Sequence, residues 1–109
     1  MTGLRKRLGL AGLAAALLAV APSAWAEPKT HLVEIEGMKF NPKVLEVSPG
    51  DTVIFRNADL VPHTATAKDF DSKPINPNGS WKLVVGKKKG EVPYKCSLHP
   101  TMNGVLTVK

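Results

Sequence analysis

The chain has 109 residues, with 15 Lys or Arg against 9 Asp or Glu, a formal charge of +6 at neutral pH. With 43% hydrophobic residues, this length bounds the protein to one small globular domain, and its single cysteine excludes an internal disulfide. Part of the positive charge sits in the first residues; what remains is only mildly basic and does not point to nucleic acid.

Residues 1–26 read as a secretory signal peptide. Arg5, Lys6 and Arg7 form a basic start, Leu8–Val20 is apolar, and Ala24-Trp25-Ala26 fits the small-x-small cleavage rule. An apolar core of 13 residues is short against the ~20 that span a bilayer, so a membrane anchor is disfavoured. The expected organisation is a cleaved signal and one domain over 27–109, exported to the periplasm without stable membrane insertion. That domain keeps 12 basic and 9 acidic side chains, a formal +3. A chain of this size buries roughly 60–65% of its unfolded surface. Its core is therefore marginal, and a ligand bound only by the folded form would add stability by mass action.

The domain shows short β-rich runs and no helical period. His31–Glu36 alternates, with Val33 and Ile35 on one face and Glu34 and Glu36 on the other. Val44–Val47 is a second run, ended by the turn Ser48-Pro49-Gly50-Asp51, and Thr52–Asn57 alternates again with Val53 and Phe55 together. A loop through Asn57 and Leu60 leads to Pro62 and His63. Thr64–Ala67 is expected as a short strand, Asp69–Gly79 as an irregular connection, and Ser80–Val85, Val92–Lys95 and Gly104–Val108 as the last strands. Lys87-Lys88-Lys89, framed by Gly86 and Gly90, is expected at a hairpin tip, read as plain solvated surface or, functionally, as a docking site for an acidic redox partner. Short strands with Pro and Gly turns define an all-β fold, a β-sandwich, with Phe40, Val53, Phe55, Trp81, Leu83 and Leu106 in its core. His31, on the first strand, is expected at the surface.

The chemistry gathers in Cys96-Ser97-Leu98-His99-Pro100-Thr101-Met102. A thiolate, an imidazole and a thioether recur here at steps of three residues. Each alone has an ordinary reading: a lone Cys is often a small buried hydrophobe, and Met is usually core filler. Helical spacing would also put all three on one face, but Pro100 and Gly104 argue against a helix. As an ordered set they suit copper, because thiolate and thioether favour Cu(I) while imidazole serves both oxidation states. Two His and one Cys make a trigonal plane that a weak Met caps. The second His is expected to be His63, which the fold rather than the loop must deliver.

The segment Tyr94–Met102, with its Cys-x-x-His-Pro-x-x-Met spacing, resembles the copper loop of the small cupredoxins of the plastocyanin/azurin family, most of all that of amicyanin. Met38-Lys39-Phe40-Asn41-Pro42 and Val47-Ser48-Pro49-Gly50-Asp51-Thr52-Val53 are similar to the same family, so the likeness runs from about Leu32 to Val108. The resemblance implies a Greek-key sandwich holding one type 1 copper ion, with His63, Cys96, His99 and Met102 as its ligands. It implies that the N–H of Thr64 donates to the thiolate sulfur and that the Pro62 carbonyl lies on the far axial side. Many relatives carry Asn at the Thr64 position, where its side chain ties the two loops, and Pro at the Leu98 position. Leu98 keeps an N–H, which makes a second N–H···S bond to Cys96 possible. Leu60, Pro62, Leu98 and Pro100 would frame the edge of His99 as a docking face.

The function this implies is that of a periplasmic electron carrier, a monomer docking transiently to a cytochrome, a dehydrogenase or an oxidase or reductase. The alternative is copper delivery or resistance, which would favour a more open site rich in Met or His; here Met38 and Met102 are the only methionines beyond Met1. An enzyme is not expected, since copper oxidases and nitrite reductases need further His clusters that His31 alone cannot make.

Overall fold

The computed structural model describes residues 27–109, so the expected signal peptide lies outside the described residues. Seven strands follow in order: β1 (Thr30–Ile35), β2 (Phe40–Asn41), β3 (Val44–Val47), β4 (Thr52–Asn57), β5 (Ser80–Val84), β6 (Gly90–Lys95) and β7 (Asn103–Val108). No helix occurs among the described residues. One sheet has the order β2-β1-β4-β5 and the other β3-β7-β6. β1 runs parallel to β4 and β3 parallel to β7, whereas the remaining pairs are antiparallel. Each sheet thus joins strands distant in sequence, giving an all-β sandwich of two sheets.

Alternation along each strand builds the core, since successive side chains face opposite sides of a sheet. Val33 and Ile35 of β1, Val53 and Phe55 of β4, and Leu106 and Val108 of β7 turn inward and are buried. Aromatic rings join the two sheets: Tyr94 meets Phe40 and Phe55 edge-on at centroid distances of 4.7 and 5.4 Å. Trp81 and Leu83 pack against this core but are only half-buried, because β5 is an edge strand with β4 on one side and no strand on the other. β2 is a two-residue strand that extends β1 antiparallel and seats Phe40; so short a run carries no alternation to read.

Two expectations are corrected. Thr64–Ala67 forms no strand; it makes isolated bridges, His63 to Ile75 and Thr66 to both Asp71 and Lys95. It links the 71–75 segment to β6 one residue at a time, which no regular ladder allows. Lys87–Lys89 is not a hairpin tip either. β5 and β6 lie in different sheets, so the lysines ride on a crossover between the layers. That crossover joins Val84, opposite Thr52 at the start of β4, to Gly90, opposite Val108 at the end of β7. β4 and β6 both run away from it, toward Asn57 and Cys96. With six residues in each strand, the lysine run lies about 20 Å from the pole where those strands end.

Candidate metal centre

The pole at the ends of β4 and β6 is built on an inward-facing polar residue. Alternation along β4 buries Asn57 on the same face as Val53 and Phe55. Its Nδ2 donates to the carbonyls of Val61 (2.8 Å) and Ile75 (2.9 Å), and its Oδ1 accepts the N–H of Asp59 (2.9 Å). A buried amide so satisfied stabilises the loop rather than straining it. The loop 58–62 is curled by these bonds, and His63 is then clipped to Ile75 by reciprocal backbone bonds of 3.2 and 2.7 Å.

Asp59 settles which face of the His63 ring is offered. Burial works against its negative charge, but the N–H groups of Met38 and Gly37 and the His63 ring outweigh that, holding the carboxyl below its ordinary pKa of 3.8. An ionised carboxylate only accepts, so Nε2 of His63, 2.8 Å from Asp59 Oδ2, must carry its proton. Nδ1 is left with a free lone pair, and it faces the Cys96 sulfur at 3.8 Å. A carboxylate behind a histidine in this way fixes the tautomer and raises ligand basicity.

The other donors come from the return between β6 and β7. Thr66 pairs with Lys95 through bonds of 2.8 and 2.9 Å, which brings Thr64 beside Cys96. The N–H of Thr64 donates to Cys96 Sγ at 3.3 Å, as the resemblance implied. Thr64 Oγ1 accepts the N–H of Ser97 at 2.8 Å and lies 3.1 Å from its hydroxyl. The loops are therefore tied by threonine where many relatives use asparagine. The return closes on itself: His99 N–H donates to the Cys96 carbonyl (3.3 Å), Met102 N–H to the His99 carbonyl (2.9 Å), and Cys96 N–H to the Met102 carbonyl (3.1 Å). The second N–H···S bond that Leu98 made possible is not formed. Among the described residues Thr64 is the sole backbone donor to the sulfur.

His63, Cys96 and His99 thus converge, with their donor atoms within 4.8 Å of one another. His99 Nδ1 lies 3.6 Å from the sulfur, and the two imidazole rings are 5.0 Å apart. In a trigonal plane, bonds of about 2.3 Å to sulfur and 2.0 Å to nitrogen separate the two donors by roughly 3.7 Å. The observed 3.6 and 3.8 Å match that separation. Met102, which closes the same return, is buried, 3% exposed. Thiolate, thioether and two imidazoles in this arrangement select copper over harder ions.

The remaining expected residues fall around the centre. Leu60 (93% exposed) and Leu98 (50%), with Pro62 and Pro100, are exposed on the two loops of this pole, where His99 is half-buried. His31 is not a free surface group: its Nε2 lies 2.8 Å from Asp51 Oδ2, and both side chains are largely covered. Asn57 and Asp59 were missed by sequence reasoning. A polar residue at the third inward position of β4, after Val53 and Phe55, was the signal for Asn57. A carboxylate four residues before a ligand histidine signals nothing by itself.

The fold and donor set define a small sandwich with a type 1 copper site. A family profile described as a cupredoxin-like domain matches residues 9–108, and the chain belongs to that family. Among solved structures it is similar to an oxidized amicyanin variant, with 24% identity over 73% of this chain and 82% of that one and a TM-score of 0.68. A purple cupredoxin from Nitrosopumilus maritimus shares 28% identity over 72% of this chain and 99% of that one, with a TM-score of 0.66. A copper-containing nitrite reductase from Thermus scotoductus shares 34% identity over 84% of this chain at a TM-score of 0.68, but the match spans only 26% of the enzyme. No curated protein matches the sequence significantly.

Proposed function

We propose that this copper protein is a periplasmic electron carrier, taking one electron from a redox protein and giving it to another. The observation that supports this best is the burial and backbone anchoring of two of the donors. Cys96 and His63 are fully buried, and each is held by backbone bonds to a neighbouring segment. Donors anchored in this way suit a couple whose two states share one geometry.

Copper, when bound, supplies the one-electron couple. Cys96 holds it as thiolate, with the Thr64 N–H withdrawing charge from the sulfur; His63 and His99 complete the plane, and Met102 is the weak fourth ligand. The edge of His99, framed by Leu60, Pro62, Leu98 and Pro100, is the surface through which a cytochrome, dehydrogenase or oxidase or reductase would exchange electrons. The lysine run at the opposite pole lies off that short path. The leader-like first 26 residues support export. His31 is committed to Asp51, which leaves no further histidine for a second, catalytic copper.

Repeated reduction and reoxidation in the presence of a Cu(I) chelator tests the reading. A carrier bleaches and recolours through many cycles without losing copper. Loss of copper to the chelator at the first reduction would favour delivery.

A further inference from the structure

Cys96 and His63 have no exposed surface, so an incoming ion must pass other groups to reach them. One opening lies at the half-buried His99. Beside the centre, a cavity of about 430 Å³ lies between the β1–β2 connection and the Thr101–Asn103 turn and reaches Met102 of the donor set. Two methionines line it, Met38 at 43% exposed and Met102 at 3% exposed. The side chains of Asn41 and Asn103 add polar walls.

Met38 is fixed there by an unusual backbone. Its φ is +60°, the left-handed region that residues with a Cβ seldom occupy. Asp59 holds it, accepting the N–H of Gly37 at 2.7 Å and that of Met38 at 2.9 Å. The oxygen that takes the Met38 N–H also takes the His63 Nε2 proton. One carboxylate therefore orients a ligand of the centre and holds the backbone that carries Met38 beside it.

We propose that Met38 is a transient outer ligand for Cu(I), and that the Met38–Met102 cavity is the route by which the cuprous ion reaches the centre. This rests on the copper reading above. Neutral thioethers bind soft Cu(I) and discriminate against zinc and harder cations. Lys39 and Lys43 also line the cavity, and their charge repels a dication twice as strongly as a monocation at the same distance. Both features favour the cuprous ion. The passage is ligand exchange: bonds to the donor complex break as thioether bonds form, copper stays cuprous, and the Cys96 thiol proton goes to solvent when its sulfur binds.

The test is stopped-flow uptake of copper from a Cu(I)–bicinchoninate complex by the metal-free protein, wild type against Met38→Leu, which keeps size and removes sulfur. The variant should take up Cu(I) more slowly by roughly tenfold or more, the scale on which a supporting metal contact counts. Its Cu(II) uptake rate and its final charge-transfer spectrum should match wild type. Equal Cu(I) rates, or an equal slowing of both ions, would overturn the route while leaving the copper site standing. Failure of both proteins to colour after oxidation would instead remove the copper reading itself.

Discussion

Asp59→Asn isolates the bond that orients His63. The carboxylate accepts Gly37 N–H on Oδ1 at 2.7 Å, and Met38 N–H and His63 Nε2–H on Oδ2 at 2.9 and 2.8 Å. An amide of the same shape keeps one acceptor. If its oxygen faces His63, its NH2 meets the Gly37 N–H; if it flips, the NH2 meets His63 Nε2. Either way at least one charge-assisted bond becomes a donor–donor contact, so stability should fall by about 1.5–3 kcal/mol. In the flipped arrangement Nε2 must become the acceptor, and the ring proton moves to Nδ1, where the copper lone pair is needed. Copper affinity should therefore fall by roughly 10–100-fold, as for other partners behind a ligand histidine. Chelator-competition titration measures the affinity, and 15N NMR of the metal-free protein reads the His63 tautomer. Affinity within threefold of wild type, with Nδ1 still unprotonated, would refute the orienting role. Acid should mimic the substitution. A carboxyl held below 3.8 contributes its stability above that pH and loses it as pH falls through the lowered value.

Tyr94 OH is buried without a hydrogen-bond partner, and burial raises the phenol's pKa. Tyr94→Phe should therefore stabilise the fold by about 1 kcal/mol, some 4–8 °C in Tm for a domain of this size; a lower Tm would show that the hydroxyl is satisfied. Gly104 has no left-handed φ, yet a Cβ there would lie 2.4 Å from Tyr94 Cζ. Gly104→Ala should cost about 1–3 kcal/mol in denaturant unfolding by overpacking, and much less in a Tyr94→Leu background; equal costs in both would contradict the steric cause. Asp51 is lowered to about 2, chiefly by the Lys29 N–H, with His31 and the Ser48 N–H adding to it. Its depressed pKa contributes on the order of 2 kcal/mol above pH 4, lost as pH falls toward 2. The stability gap between wild type and Asp51→Asn should thus shrink over that interval, and a constant gap would remove the linkage.

The strands with clear alternation were legible in the sequence. β3 and β4 were read over the residues they occupy, and β1 to within a residue at each end. The thiolate, imidazole and thioether were equally legible, because three donors of that chemistry within seven residues have few other uses. His63 was found by counting donors rather than by any local signal. What escaped was set by tertiary contact. The Thr64–Ala67 segment looks β-prone, but its partners are single residues on different elements. Lys87–Lys89 between two β runs looks like a hairpin, and only strand order reveals a crossover between sheets. The Asp59 carboxylate gains its meaning from Gly37 and Met38, more than twenty residues away, which no local window joins.

The most direct test of the central claim is the visible spectrum of the purified protein with one equivalent of Cu(II), beside that of Cys96→Ala. A thiolate-to-copper charge-transfer band should give the wild type an intense blue or green colour and be absent from the variant. A colourless wild type, or colour that survives loss of the thiol, would contradict a copper centre held by Cys96, His63 and His99.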